Sequence, residues 1–364
     1  MEHLTEFVNS LIDNLLAVGI RLLDLPVFML LIGTGLFAVA LALLFKRRRR
    51  RRQLLLAEFA LLIVAAVFCL DRKISRLQDR LNELQAAHSA VSASADPAPA
   101  TTRSKLLFDL DAARAAMTDQ FPGVSLHAVV YDPAADLIEA RSDVPLFRAF
   151  AVVIDLTRPG LSIKIGGSLT TKTLTSEFAD ENHCTIAING EAGLSPSPDS
   201  GLGWYRGNLV ERGQVQLREF PFGTTPFLYF DQQNHAGFVA TYAHQRALTP
   251  QMFNVIWGRL DAIVDGQVQT ADERLSQPRT AMAINKSGTL LYLLVVDGRQ
   301  PHYSMGFTRA QVGYFLKALG AWNGMLCDEG GSSCLYAYQQ IYNIPSDDQG
   351  VERPTYTHFG ISEE

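Results

Sequence analysis

Along residues 1–24 apolar side chains recur at three- and four-residue steps. Leu4, Phe7, Val8, Leu11, Ile12, Leu15, Leu16, Leu22 and Leu23 share one helical face, opposite Glu2, Glu6, Asn9 and Asp13. The stripe predicts an amphipathic helix that lies on a membrane surface or packs against a partner, and the acids on its polar face favour the partner. From Leu25 to Phe45 no charged residue occurs, a run long enough to span a bilayer. An unbroken run of cations, Lys46 to Arg52, follows, and a second apolar stretch, Gln53–Leu70, is interrupted only by Glu58. Residues 25–70 are therefore expected to form a two-helix transmembrane hairpin. Its basic turn, 46–52, stays cytoplasmic and meets anionic lipid headgroups, so the chain on either side faces outward. A cleaved signal peptide would carry its cations before the apolar run.

Ile74, Leu77, Leu81 and Leu84 continue at helical steps, a coiled-coil seam of about two heptads that points to self-association through 71–84. Ala86–Arg103 is mostly Ala, Ser, Thr and Pro, so 71–103 reads as a short coiled coil followed by a linker. An outward-facing domain then fills 104–364, ample for one sizeable core.

Within that domain a helical pattern over Leu106–Phe121 is ended by Pro122-Gly123. Short apolar runs alternate with turn residues at Val124–Tyr131, Leu146–Leu156, Leu161–Ile165 and Thr185–Ile188, with a short helix expected over Thr173–Asp180. Hairpin patterns follow at Leu209–Leu217, Pro226–Phe230, Gly237–Tyr242 and Ala281–Val296, the last turning at Lys286-Ser287-Gly288. A helix is expected from Thr308, whose partner Gln311 completes a capping box, to Gly320; a strand, Ala321–Leu326, follows. The predicted class is α+β, a large mixed or antiparallel sheet with flanking helices.

Charge divides the chain. The formal net charge is −5, but residues 1–103 hold thirteen Lys and Arg against nine Asp and Glu, and the remainder holds nineteen against twenty-eight. The acidic domain is a poor nucleic-acid binder, because affinity for phosphate backbones comes from Lys and Arg. No zinc-type Cys/His spacing occurs, and the eight histidines are scattered.

Candidate chemistry centres on Cys327-Asp328-Glu329-Gly330-Gly331-Ser332-Ser333-Cys334. Its glycines permit a sharp turn with exposed N–H groups, its hydroxyls can join them around an anion, and its acids can accept a proton, attack or hold a cation. With no Lys before the serines it is not a phosphate-binding P-loop, and no G-x-S-x-G elbow is present. A loop merely capped by its own hydroxyls would look the same. Cys327 and Cys334 could bridge it, or could be buried free thiols. Other polar segments stand at predicted strand ends: Asn189-Gly190-Glu191, Gly201–Asn208 with Trp204, Pro278-Arg279-Thr280, Asp297-Gly298-Arg299, Asn343-Ile344-Pro345-Ser346-Asp347 and Glu352-Arg353-Pro354. Taken singly, Asn-Gly and Asp-Gly are turn dipeptides.

In this order these motifs resemble the phosphodiester glycosidase family over about Phe150–Ile361. That family includes the lysosomal enzyme that uncovers mannose 6-phosphate and bacterial members associated with exopolysaccharide. The resemblance implies a mixed α+β domain and hydrolysis of a sugar phosphodiester or related glycan at the anomeric carbon, in envelope or exopolysaccharide metabolism. Two positions depart from the family pattern. Asn-Gly-Gly-Phe-Phe becomes Asn189-Gly190-Glu191-Ala192-Gly193, and Asp-Gly-Gly-Gly-Ser becomes Asp328-Glu329-Gly330-Gly331-Ser332. Each puts a carboxylate in place of glycine, which either repels phosphate or supplies a new acid, base or cation ligand.

The leaving group of such a reaction is a phosphate monoester, already a stable anion, so its protonation matters less than in an ordinary glycoside. The site needs an anion-binding cluster and a carboxylate near the anomeric carbon. Arg279, Thr280 and the Gly330, Gly331, Ser332 and Ser333 loop are expected to fill the first role, aided by Ser346, Asp347 and Arg353. Asp328 and Glu329, then Asp297 and Glu191, are the candidate catalytic acids. Asn189 and Gly190 would orient sugar hydroxyls, and Trp204 would stack on the ring. No cofactor is expected, although a single divalent cation at Asp328 and Glu329 stays open; a phosphoesterase with clustered metal ligands would need grouped Asp and His. The expected partners are a glycan or sugar phosphate and membrane lipid. The competing reading is a non-catalytic glycan-binding or assembly module.

Overall fold

The computed structural model describes residues 105–131, 134–167, 171–191, 207–217, 225–241, 243, 247–270, 275–347 and 350–363. The amphipathic helix, hairpin, coiled coil and linker expected before Ser104 lie outside the described residues, as does Trp204. Among the described residues no helix is long and apolar enough to cross a membrane.

The domain begins with helix α1 (Leu110–Met117) and strands β1 (Ser125–Val130), β2 (Ala135–Asp143), β3 (Leu146–Asp155) and β4 (Leu161–Gly167). Helix α2 (Thr175–Glu181) leads into β5 (Ile186–Asn189), β6 (Leu209–Glu211), β7 (Gln214–Leu217), β8 (Phe227–Phe230) and β9 (Ala236–Val239). Then come β10 (Asn254–Trp257), β11 (Leu260–Val264), β12 (Gln267–Val268), β13 (Arg279–Ile284) and β14 (Leu290–Val296). Helix α3 (Arg309–Ala318) precedes β15 (Asn323–Leu326), a 3-10 turn at Gly330–Ser332, β16 (Leu335–Ala337), β17 (Gln340–Ile341) and β18 (Thr357–Glu363).

The strands form an eight-stranded sheet, β1-β2-β3-β14-β13-β15-β11-β12, and two five-stranded sheets, β17-β16-β5-β18-β4 and β7-β6-β10-β8-β9. Every pairing among the described strands is antiparallel, so of the two sheet types expected the mixed one is set aside. The large sheet is buried on both faces. Met282, Ile284, Leu291, Leu293 and Val295 pack toward apolar residues of the two smaller sheets. Ala281, Ala283, Leu294 and Val296, the alternate positions, pack with Ala113 and Met117 of α1 and with Val312, Phe315 and Leu316 of α3. Burial on both faces explains why β13 and β14 read as continuous apolar runs.

The helix expected over Leu106–Phe121 is shorter, because Asp109 caps it by accepting from the backbone N–H groups of Asp111 (3.1 Å) and Ala112 (3.0 Å). The capping box of α3 forms as the sequence predicts: Thr308 Oγ1 accepts from Gln311 N at 3.3 Å, and Gln311 Oε1 accepts from Thr308 N at 2.8 Å.

Candidate active site

Antiparallel neighbours alternate starts and ends along a sheet edge, and this places the site. Arg279, which opens β13, faces Val296, which ends β14. Ala281 faces Leu326, which ends β15, and Leu326 also faces Leu260, which opens β11. One edge of the large sheet therefore carries Arg279, the Asp297 turn, the 327–334 loop and Arg259. The end of β5 arrives there from the neighbouring sheet. The Asn189 amide joins the two: Oδ1 accepts from Thr280 Oγ1 (2.8 Å) and Cys334 N (3.1 Å), while Nδ2 donates to Asp328 O (3.1 Å) and Gly190 O (3.2 Å). Asn189 and Thr280 are fully buried. Both ends of the amide are engaged inside the protein, and through them Asn189 positions the loop. Gly190 belongs to the same joint, its N–H donating to Thr357 O at 2.7 Å.

Four carboxylates and four guanidiniums meet above this joint. Glu329, with a side chain only 3% exposed, is paired with Arg279 through Oε2, which also accepts from Gln277 Nε2 at 2.9 Å. Its Oε1 lies 3.2 Å from Arg259 Nη1 and 4.0 Å from Arg309 Nη2. Arg279 itself has no exposed surface, and its remaining nitrogens donate to Phe307 O (2.9 Å) and Leu275 O (3.0 Å). In this structure the guanidinium of Arg279 is paired with Glu329. Glu191 Oε1 stands 3.6 Å from Arg259 Nε. Asp328 carries Arg353 Nη2 on Oδ2 at 3.3 Å and Arg259 Nη2 at 4.0 Å from Oδ1. The side chains of Arg259 and Arg353 are 40% and 41% exposed, and so offer cationic surface to an arriving ligand.

A strap formed by residues 343–347 closes one side. Arg353 Nη1 donates to Asp347 Oδ2 at 3.1 Å, and a Cβ on Gly331 would stand 1.8 Å from Asp347 Cγ, so any larger residue there would have to push that carboxylate aside. Gly330 adopts φ +78°, with Arg299 Nη1 2.8 Å from where its Cβ would be. Asp297 pins the strap from below, accepting from Asn343 Nδ2 (3.0 Å) and Ile344 N (3.0 Å). It is enclosed, and burial pushes its carboxyl up to about 7 against the pull of Asn343, Ile344 and Tyr303. Asp297 thus holds the strap from behind the site.

The loop offers fewer free N–H groups than its sequence promised. The amides of Cys327, Asp328, Gly330, Ser333 and Cys334 all donate to protein oxygens, and Ser332 Oγ donates to Glu329 O at 3.2 Å. Ser333 Oγ and Ser346 Oγ are buried and have no hydrogen-bond partner among the described residues. Cys327 and Cys334 are buried free thiols, pushed up by burial, so no bridge spans the loop. Glu352 lies behind the site: it accepts from Ser176 N (3.0 Å) and Ser176 Oγ (2.6 Å) at the start of α2 and from Cys334 Sγ at 3.4 Å. His358 is enclosed by the hydroxyls of Thr173, Thr175 and Thr355 and stacks on Phe178.

Arg259, Arg309 and Gln277 are parts of the site that the sequence reading missed. Their one signal was position, since Arg259 fills the short step between β10 and β11 and Arg309 opens α3. Among the described residues no three His, Cys, Asp or Glu side chains are grouped to hold a metal ion.

Residues 182–362 match the phosphodiester glycosidase family. The chain carries a domain of that family. This phosphodiester glycosidase domain is similar in fold to the zebrafish N-acetylglucosamine-1-phosphodiester α-N-acetylglucosaminidase catalytic domain auto-inhibited by its pro-peptide. That match has a TM-score of 0.50 and 17% identity, and covers 67% of this chain and 84% of that one. A Synechocystis protein of known structure aligns with TM-score 0.47 and 11% identity, over 66% of this chain and 64% of its own. No curated protein sequence matches the chain.

Proposed function

We propose that the phosphodiester glycosidase domain hydrolyses a sugar phosphodiester or related glycan at the anomeric carbon. The observation that carries this reading is Asp328, nearly buried, held between the two half-exposed guanidiniums of Arg259 and Arg353. Guanidinium forks suit phosphate oxygens and would bind the bridging phosphate while charge builds on the leaving group. The Asp328 carboxylate would face the positive charge that develops at the anomeric carbon, or attack it. Glu191, bound to the other side of Arg259, is the second acid within reach of this space. The membrane hairpin and cytoplasmic basic turn read from residues 25–70 would place the domain outside the cytoplasmic membrane, in envelope or exopolysaccharide metabolism.

One observation favours a glycan-binding module without turnover: the acids Glu191, Asp328, Glu329 and Asp347 are all ion-paired. Incubating the full-length protein with nitrophenyl glycosides and UDP-sugars separates the two. Release of product that disappears in Asp328→Asn supports hydrolysis. Retained glycan binding with no release from any substrate overturns it.

A further inference from the structure

Glu329 occupies an unusual place for a carboxylate. Arg279 and Gln277 bind one oxygen, Arg259 binds the other, and Arg309 stands behind it at 4.0 Å. Three guanidiniums and an amide thus converge on a single negative charge that is almost shut off from solvent. These donors occupy both oxygens of the carboxylate; a tetrahedral oxyanion, with more oxygens and up to two charges, could use the same set. The backbone supports the same geometry, because Gly330 N is tied to Pro278 O and Gly298 has no room for a Cβ beside Pro278 N, 2.5 Å from where it would stand. Two of the donors have anchors besides Glu329: Arg279 donates to Phe307 O and Leu275 O, and the backbone of Gln277 pairs with Phe307. Arg259, at 40% exposure, is the side from which a solute would enter.

We propose that Glu329 is an internal occupant of an oxyanion pocket formed by Arg259, Arg279, Arg309 and Gln277, and that it excludes doubly charged phosphate monoesters from that pocket. The specificity consequence rests on the hydrolytic reading: a phosphodiester, singly charged, engages only the outer guanidiniums of Arg259 and Arg353. Its monoester product, a dianion that three arginines and an amide would otherwise retain, meets a pocket already filled and leaves.

The pocket can be tested without turnover. Full-length wild type and Glu329→Ala are melted with increasing inorganic phosphate at constant ionic strength, with chloride as control. The expected result is a phosphate-dependent rise of several degrees in the melting temperature of Glu329→Ala, none in wild type, and loss of the rise when Arg259→Gln is added. Equal shifts in both proteins, or in neither, overturn the proposal. If Glu329→Ala does not fold in chloride, recovery of folded protein in phosphate supports the pocket, and failure in both salts overturns it. Phosphate binding by Glu329→Ala in a protein that cleaves nothing would leave the pocket standing while the hydrolytic reading falls.

Discussion

Thr280 Oγ1 donates to Asn189 Oδ1 at 2.8 Å, and this one bond ties the eight-stranded sheet to the sheet that contains β5. Both residues are fully buried, and the same Asn189 oxygen also receives Cys334 N. Removing the amide strands several buried groups at once. Asn189→Ala is expected to lower unfolding free energy by about 3 kcal/mol or more, and Thr280→Val by about 1–2 kcal/mol, in urea titrations.

Asp328→Asn keeps the volume and most of the packing of the side chain while removing its charge. On the hydrolytic reading kcat falls by about 10³-fold with little change in KM. An unchanged kcat in the folded variant would move the catalytic role to another acid, with Glu191 the next to test.

Arg353 divides its guanidinium between Asp328 and Asp347. Arg353→Ala should raise KM for a phosphodiester by about tenfold or more, the worth of a charged hydrogen bond. Gly331→Ala pushes Asp347 off Arg353 through steric conflict alone. Its kinetic defect should therefore be strongly non-additive with that of Asp347→Ala in a double-mutant cycle.

Two buried titratable groups pull stability in opposite directions with pH. Burial raises Asp297 from 3.8 to about 7, so between those values the folded protein keeps a proton the unfolded chain has lost, and stability falls as pH rises. Burial lowers His358 from 6.5 to about 4, so in that window the unfolded chain binds the extra proton, and stability rises with pH. The wild-type slope between pH 4 and 6.5 should be shallow. Asp297→Asn should show stability climbing by a few kcal/mol over that range, and His358→Gln should show it falling. Urea midpoints at half-unit steps of pH test the signs.

Burial pushes the thiols of Cys184, Cys327 and Cys334 up, the first to about 12, and all three are free. They should resist a thiol reagent in the native protein and react fully in denaturant without prior reduction. A need for reductant would show a bond that the structure lacks.

Local pattern was enough for the helices and for the strands that carry long apolar runs. β13 and β14 declared themselves by burial on both faces, and α3 by Thr308 and Gln311. β2, with Asp136, Glu139 and Arg141 among its nine residues, and β18, with Gly360 and two hydroxyls, did not, because their partners supply the burial that their own side chains do not advertise. The motif order brought Asn189, Arg279, Asp328 and Arg353 to notice, but their duties followed from depth. Arg279 and Asn189 are enclosed and serve as framework, whereas Arg259 and Arg353 reach solvent. Exposure is set by what packs overhead, and Arg259 sits in a two-residue step with no motif to mark it.

The charged cluster draws on segments from Glu191 to Arg353, and each acid depends on a guanidinium supplied from elsewhere in the chain. A ribosome making this protein has no functional intermediate to release. Until Arg353 has cleared the exit tunnel, Asp328 lacks its principal counter-ion and the strap cannot close. The domain would therefore become competent in one step, only after Arg353 has emerged, and a protease cut anywhere in that span would threaten the whole assembly.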